Sequence, residues 1–136
     1  MVHPRAVCIL IILALAACRP AACPPVETRI AVERLDGLMM DCSEARRTNS
    51  TNPCEMRDAL EELHARITAE DVPECLLALK EAQLALIEAR MAEAALIDEG
   101  ADPAQIDQAH ALTERRTELW AARRFEVTEL LASMDK

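Results

Sequence analysis

Aromatic residues and glycines are almost absent from this chain of 136 residues. It has no tyrosine and only two glycines, and Trp120 and Phe125 are its only Trp or Phe residues. A β-sheet normally needs more β-branched and aromatic residues and more glycine turns, so a β-sandwich and a dinucleotide-binding α/β fold are disfavoured. Binding of single-stranded nucleic acid by stacking is disfavoured as well, because it depends on aromatic rings.

Positive charge is scarce too. The chain has 15 Lys and Arg residues against 24 Asp and Glu residues, a formal net charge of −9. A phosphate backbone repels such a chain, so we expect no nucleic-acid partner. Apolar residues make up 51% of the sequence and are mostly Ala and Leu, which favour helices when combined with Glu and Arg. The length allows one modest domain, and we predict that it is all-α.

The N-terminus carries an apolar run of eleven residues, 7–17, preceded by Arg5. The run is too short to span a bilayer, which takes about 20 residues, and is typical of a signal peptide. It ends in Leu15-Ala16-Ala17-Cys18, which resembles the bacterial lipobox. The resemblance implies cleavage before Cys18, a lipid on the Cys18 sulfur and an acylated amino group. Ordinary cleavage after Ala16 is the alternative, and it would release a soluble periplasmic protein.

Three segments follow from this interpretation. Residues 1–17 are a lipoprotein signal peptide, 18–26 are the lipidated cysteine and a proline-rich tether, and 27–136 are a helical domain. Two or three acyl chains make membrane anchoring stable, so we expect a domain that faces the periplasm. Arg19 stands where an Asp tends to retain lipoproteins in the inner membrane of enteric bacteria, and its presence favours the outer membrane.

Helix boundaries are well marked in the remaining sequence. Asn52-Pro53-Cys54-Glu55 and Asp102-Pro103-Ala104-Gln105 resemble capping boxes, and Gly100 has the position of a glycine that closes a helix. A third, less regular start is at Asp71-Val72-Pro73-Glu74. These signals predict four helices, at about 25–46, 53–69, 73–99 and 103–134.

Apolar residues recur every seven positions in the last two predicted helices. In the third helix they are Leu77, Leu84 and Met91, and in the fourth they are Ile106, Thr113, Trp120, Val127 and Met134. In the second helix a stripe follows 4-3-4 spacing through Met56, Leu60, Leu63 and Ile67. Stripes of period seven on consecutive helices joined by a tight turn indicate an antiparallel pair. We therefore predict an up-down arrangement with a long antiparallel C-terminal helical hairpin.

Six cysteines are present. Cys8 leaves with the signal peptide and Cys18 takes the lipid, so four remain: Cys23, Cys42, Cys54 and Cys75. In an exported domain an even number predicts two disulfides, with three connectivities. The up-down order brings Cys42 near Cys54, and Cys23 near Cys75, so we predict those two pairs.

A metal site is the competing interpretation of the cysteines. Cys42, Cys54, Cys75 and His64 would supply four ligands, and methionines lie near the first two. The sequence has no C-x-x-C pair and no closely spaced histidine pair, and an oxidising compartment consumes thiols. We therefore predict no metal and no cofactor.

Nothing in the sequence indicates catalysis. His64 and His110 lie on different predicted helices, outside an H-E-x-x-H pattern, and no serine lies in a G-x-S-x-G turn. The carboxylates are expected on exposed faces where no neighbour shifts a pKa toward catalysis. We expect His64 to bond to Glu61, three residues earlier. The chain is therefore predicted not to be an enzyme.

Two features of the last predicted helix bear on partners. Phe125 falls off the apolar stripe and is a candidate anchor for a protein partner. Four arginines lie among glutamates, which predicts a solvated face with ion pairs along the helix; they are Arg115, Arg116, Arg123 and Arg124.

Two short segments resemble known families. Residues 42–54, bounded by Cys42 and Cys54 and followed by Ala59, resemble small entry-exclusion lipoproteins of conjugative plasmids. That resemblance implies a block on redundant DNA transfer through binding of a mating-apparatus protein. Leu112-Thr113-Glu114-Arg115-Arg116 is similar to periplasmic helical-hairpin stress and metal-resistance proteins.

Taken with the lipobox, these patterns favour a non-enzymatic envelope lipoprotein that acts as a helical protein-interaction or scaffolding module. We expect it to bind the membrane through its lipid and a protein partner through its helices, and self-association stays open. A periplasmic metal-binding, metal-sensing or stress protein that uses Cys, Met and His is the alternative, and a purely structural spacer is a third.

Overall fold

The computed structural model describes residues 23–47 and 57–136, without the side chains of 41–47, and every regular element in these stretches is helical. Four α-helices follow one another: α1 (Pro25–Arg47), α2 (Arg57–Ala69), α3 (Leu77–Asp98) and α4 (Pro103–Met134). A short 3₁₀ turn, Glu74–Leu76, leads directly into α3. The predicted all-α class is confirmed. The signal peptide, Cys18 and the predicted start of the second helix lie outside the described residues.

The core is aliphatic and is formed where the four helices meet. On α2, the predicted stripe of Leu60, Leu63 and Ile67 is buried. On α4, Thr113 and Val127 of the predicted stripe are buried, and its other members are half-buried. Lys80 of α3 ties α2 to this core, because its ammonium donates to the carbonyls of Thr68 (2.8 Å) and Glu70 (2.6 Å) at the C-terminal end of α2. A positive charge is favourable at that end of a helix.

The predicted stripe of α3 is wrong at its first member. Leu77 is 44% exposed, whereas the preceding Leu76 is fully buried. Leu76, in the 3₁₀ turn, continues the buried face of α3 at 3-4-3 spacing through Leu79, Gln83 and Leu86, and Leu77 lies about 100° around the helix from Leu76. The fully buried leucines of α3 proper are Leu79 and Leu86, and Leu84 and Met91 pack only partly against the core.

The turn between α3 and α4 closes as the sequence predicts. Gly100 has a φ of +66°, in the left-handed region that favours glycine. Its amide donates to the carbonyl of Ile97 (3.1 Å), and the amide of Ala101 donates to that of Leu96 (2.9 Å). These two bonds are those of a Schellman motif, which satisfies the last carbonyls of α3.

Helix α4 begins at Pro103 as predicted, but without the side-chain bond of a capping box. Asp102 is the N-cap residue, and its side chain makes no capping hydrogen bond. The start relies instead on Pro103 at the first helical position, where the missing N–H costs nothing. The backbone carbonyl of Asp102 accepts from the amides of Gln105 (2.9 Å) and Ile106 (3.2 Å).

Replacement by alanine should have opposite effects on the free energy of unfolding at the two glycines of the chain. Gly100→Ala should lower the free energy of unfolding by about 1–2 kcal/mol, because alanine is strained at positive φ. Gly37→Ala should raise it by up to about 1 kcal/mol, because Gly37 lies inside α1 and a Cβ there meets nothing within 4 Å. Urea unfolding followed by circular dichroism measures both. Equal effects of the two variants would contradict the turn geometry.

Candidate interaction surface

A disulfide joins the beginning of α1 to the 3₁₀ turn before α3. Cys23 and Cys75 are bonded, with their Cα atoms 5.8 Å apart. Thr28, fully buried beneath the bond, donates to the carbonyl of Pro24 (2.6 Å), and its hydroxyl oxygen lies 2.9 Å from the Cys23 sulfur. One of the two predicted disulfides is therefore present. The side chains of Cys42 and Cys54 lie outside the described residues.

The Cys23–Cys75 bond limits which cysteines can bind a metal ion. Cys75 is not a free thiolate, so the proposed metal ligands Cys42, Cys54, Cys75 and His64 are not available as a set. Within the part of the chain that the structure describes, no group of three or more His, Cys, Asp or Glu side chains could hold a metal ion. The bond closes a loop of 52 residues, for which the chain-entropy relation gives about 4 kcal/mol of stabilisation.

Each of the two histidines contacts a glutamate of another helix. His64 Nε2 lies 3.0 Å from Glu88 Oε1 of α3, so the predicted bond to Glu61 is wrong, and Glu61 instead accepts from Arg57 (3.1 Å). Spacing along one helix could not reveal this, because Glu88 belongs to another element.

An open groove of about 520 Å³ lies beside the disulfide, between α1 and the residues that precede the 3₁₀ turn. Its walls combine apolar and charged side chains; the lining residues are Cys23, Pro24, Glu27, Ile30, Ala31, Arg34, Asp71, Val72, Pro73 and Glu74. The lining residues include no histidine or serine, and Cys23, their only cysteine, is held in the disulfide. The charged groups of the lining are three carboxylates and one guanidinium, those of Glu27, Asp71, Glu74 and Arg34.

Two ion pairs attach α1 to α4. Arg124 binds the Asp36 carboxylate through both Nε (2.9 Å to Oδ1) and Nη2 (2.6 Å to Oδ2), and both side chains are about two-thirds covered. Arg29 pairs with Asp135 and also donates to the carbonyl of Leu131 (3.4 Å). Arg124 is thus a tertiary contact and not part of a solvated face as predicted. Arg123, its neighbour, does pair along the helix, with Glu126.

Phe125 is the most exposed large hydrophobic residue of the described chain, at 66%. It lies two residues before the buried Val127, which at about 100° per residue places it roughly 200° around α4 from the core side. Arg124, its neighbour, is held by Asp36, so the helix backbone that carries Phe125 is fixed. Leu112 and Leu119 are partly exposed on the same helix.

A polar cluster connects α3 and α4 near their turn. The Glu93 carboxylate accepts from the Thr113 hydroxyl (2.9 Å) at Oε2, and its Oε1 lies 2.8 Å from His110 Nδ1. Only 18% of the Glu93 side chain is exposed. The hydrogen bond with Glu93, and then its negative charge, raise the pKa of His110, with smaller contributions from Glu114 and Asp107 against a small cost of burial.

No protein-family model matches this chain, and we found no significant similarity to a curated protein or to a solved structure. None of the helices in the described residues is long and apolar enough to cross a membrane.

Arg124→Ala should destabilise the protein more than Arg123→Ala does. Loss of Arg124 leaves the Asp36 carboxylate partly covered without its partner, at a cost of about 1.5–3 kcal/mol for a charged hydrogen bond. The exposed Arg123–Glu126 pair is worth under about 1 kcal/mol. Urea unfolding compares the two variants, and Asp36→Ala in each background tests the pairing. Equal losses would show that Asp36 does not depend on Arg124.

Stability should fall as pH rises through the titration of His110. The raised pKa means that its contribution is fully present below the unfolded value of 6.5 and is lost as pH passes the higher folded value. An NMR titration of the imidazole should therefore give a pKa above 6.5, and Glu93→Gln should lower it. His110→Gln should flatten this part of the pH–stability curve. An unchanged pKa in Glu93→Gln would refute the contact.

Proposed function

We propose that this protein is a lipid-anchored component of the bacterial cell envelope that acts as a helical protein-interaction or scaffolding module, without catalytic activity. The exposure of Phe125 on a helix fixed by tertiary ion pairs is the observation that carries the interaction role. Rigid aromatic side chains are typical anchors of interfaces because they bury much apolar area at little cost in conformational entropy.

The lipobox-like segment supports the anchor. Cys18 precedes Cys23 by five residues, which span at most about 18 Å. The Cys23–Cys75 disulfide joins the beginnings of α1 and the 3₁₀ turn, so this end of the domain would lie near the membrane. We propose the outer membrane, from Arg19, with the domain facing the periplasm.

The finer architecture belongs to this proposal. We propose that the helices run up and down, that α3 and α4 form an antiparallel hairpin, and that Cys42 and Cys54 form the second disulfide. The four-residue link 99–102 and the contacts of Glu93 with His110 and Thr113 support the hairpin. With 22 residues, α3 is about 33 Å long, so the α3–α4 turn would extend away from the anchored end.

Lipidation predicts a specific labelling result. When the full chain is produced in a bacterium fed an alkyne fatty acid, the protein should become labelled and stay with the membrane fraction. Cys18→Ala should abolish the label, whereas Cys8→Ala should leave it unchanged, because Cys8 is removed before the lipidated cysteine becomes the N-terminus. Label that persists in Cys18→Ala would contradict the anchor.

Contact through Phe125 predicts position-specific crosslinking in the envelope. A photo-crosslinking amino acid at residue 125 of the anchored chain should give a defined adduct, and the same amino acid at Leu77, exposed on α3, should not. Excess protein of the wild-type sequence should compete for the adduct, and excess Phe125→Ala should compete poorly. Equal adducts at both positions, or equal competition, would contradict a Phe125 site.

A further inference from the structure

Phe125 lies at the centre of an exposed face of α4. The other members of this face lie three, four or seven positions from Phe125, the separations that put residues on one side of an α-helix. We call this surface the Phe125 face; its residues are Glu118, Ala121, Ala122, Phe125, Glu129 and Ala132. All six are exposed in the described structure. The face extends about 21 Å along the helix axis.

The alanines leave Phe125 as the only large apolar side chain of the face. Ala121 and Ala122 precede it by about one helical turn, and Ala132 follows it by about two. Small side chains allow a neighbouring helix to approach closely, since the distance between two helix axes depends on the side chains at the contact. A single ring between small residues can also insert among the side chains of a facing helix. The shape of the face therefore favours a helical occupant.

The charged groups of the Phe125 face are two carboxylates. Glu118 lies about 10 Å before Phe125 along the helix axis, and Glu129 lies about 6 Å after it. Neither glutamate has an ion pair or a side-chain hydrogen bond among the described residues, whereas Glu126 of the same helix pairs with Arg123. Both carboxylates are therefore available to a second molecule.

The arginines of this part of α4 do not neutralise the face. Arg123 and Arg124 are each held by a carboxylate of the chain. Arg115 lies about 60° around the helix from Glu118, and within the described structure these two residues form no ion pair. The face thus presents an aromatic ring with a negative charge on either side of it.

We infer that the Phe125 face binds a cationic amphipathic helix of a partner protein. The apolar side of that helix would receive Phe125, and its lysines or arginines would pair with Glu118 and Glu129. Complementary charge at the edge of an apolar contact sets the choice of partner and speeds association. The inference rests on the proposed partner role of Phe125 and adds the chemistry of the partner.

Charge distinguishes this occupant from two others. A second copy of the chain has the same net charge of −9 and brings further carboxylates. A phospholipid surface presents phosphates, and anionic lipids attract basic segments rather than acidic ones. A basic helix supplies the opposite sign to the two carboxylates, so it fits the face better than either alternative.

Fluorine NMR tests the inference at the site itself. Phe125 is the only phenylalanine of the chain, so para-fluorophenylalanine labels this position alone. The full lipidated chain in neutral detergent micelles is titrated with a helical peptide of leucines and lysines, and separately with a twin peptide that has glutamates in place of the lysines. The lysine peptide should shift the resonance to saturation, and salt should weaken its binding. The glutamate twin should leave the resonance unchanged.

Removal of the two carboxylates provides the variant test. Glu118→Gln combined with Glu129→Gln should weaken binding of the lysine peptide by roughly fivefold or more, because two ion pairs are lost. Glu62→Gln combined with Glu81→Gln is the matched control: it removes the same charge from exposed positions of α2 and α3 and should leave the affinity unchanged. Circular dichroism checks the fold. Equal losses in the two double variants would reduce the effect to net charge and overturn the inference.

Crosslinking in the envelope separates this inference from the partner role itself. With the photo-crosslinking amino acid at residue 125, the adduct should be lost when Glu118 and Glu129 are both replaced by lysine. It should be kept when Glu62 and Glu81 are replaced in the same way. An adduct that persists in the first variant would refute the cationic partner and leave the contact through residue 125 intact. No adduct in any background would refute both.

Three other results would overturn the inference. A resonance that does not respond to the lysine peptide would exclude a basic occupant. A resonance that shifts with protein concentration alone would assign the face to a second copy of the chain. A shift on transfer from micelles to phosphatidylglycerol vesicles, without peptide, would assign it to the membrane.

Discussion

The covalent bond between Cys23 and Cys75 is the constraint on which the placement of the first helix depends. Helices α3 and α4 are adjacent in sequence and share the most extensive contact in the structure, whereas α1 packs against α4 over only a short stretch. The disulfide fixes the beginning of α1 to the end of the domain where α3 starts. The Arg29–Asp135 and Arg124–Asp36 pairs then set its direction along α4.

A core with few aromatics needs such ties. Its fully buried side chains are mainly leucines and isoleucines, and a buried Gln83 interrupts them on α3. Among the described residues, both amide atoms of Gln83 lack a hydrogen-bond partner, and so does the indole nitrogen of Trp120. Buried polar groups without partners cost free energy. The disulfide and the ion pairs between helices offset this loss of free energy in the core.

Structural features set by residues close together in sequence were predictable, and those set by distant residues were not, apart from one disulfide. Helix ends were predictable because Pro103 and Gly100 act within a few residues, through fixed φ angles and local backbone bonds. The Cys23–Cys75 pair was predictable because helix order alone limited the choices. The stripe was misplaced at Leu77, since the polar Gln83 occupies a buried position of α3 and an apolar pattern does not count it. The Arg124–Asp36 pair joins residues 88 apart in sequence, and no local pattern encodes such a contact.

The Arg124–Asp36 ion pair also ties the proposed contact surface to the rest of the fold. Phe125 follows Arg124 on α4, and Arg124 is bound by Asp36 of α1. The aromatic side chain therefore stands on a helix that is joined to α1 at the preceding residue. Such a tie reduces the conformational freedom that α4 would lose when a partner binds, and so favours binding through Phe125.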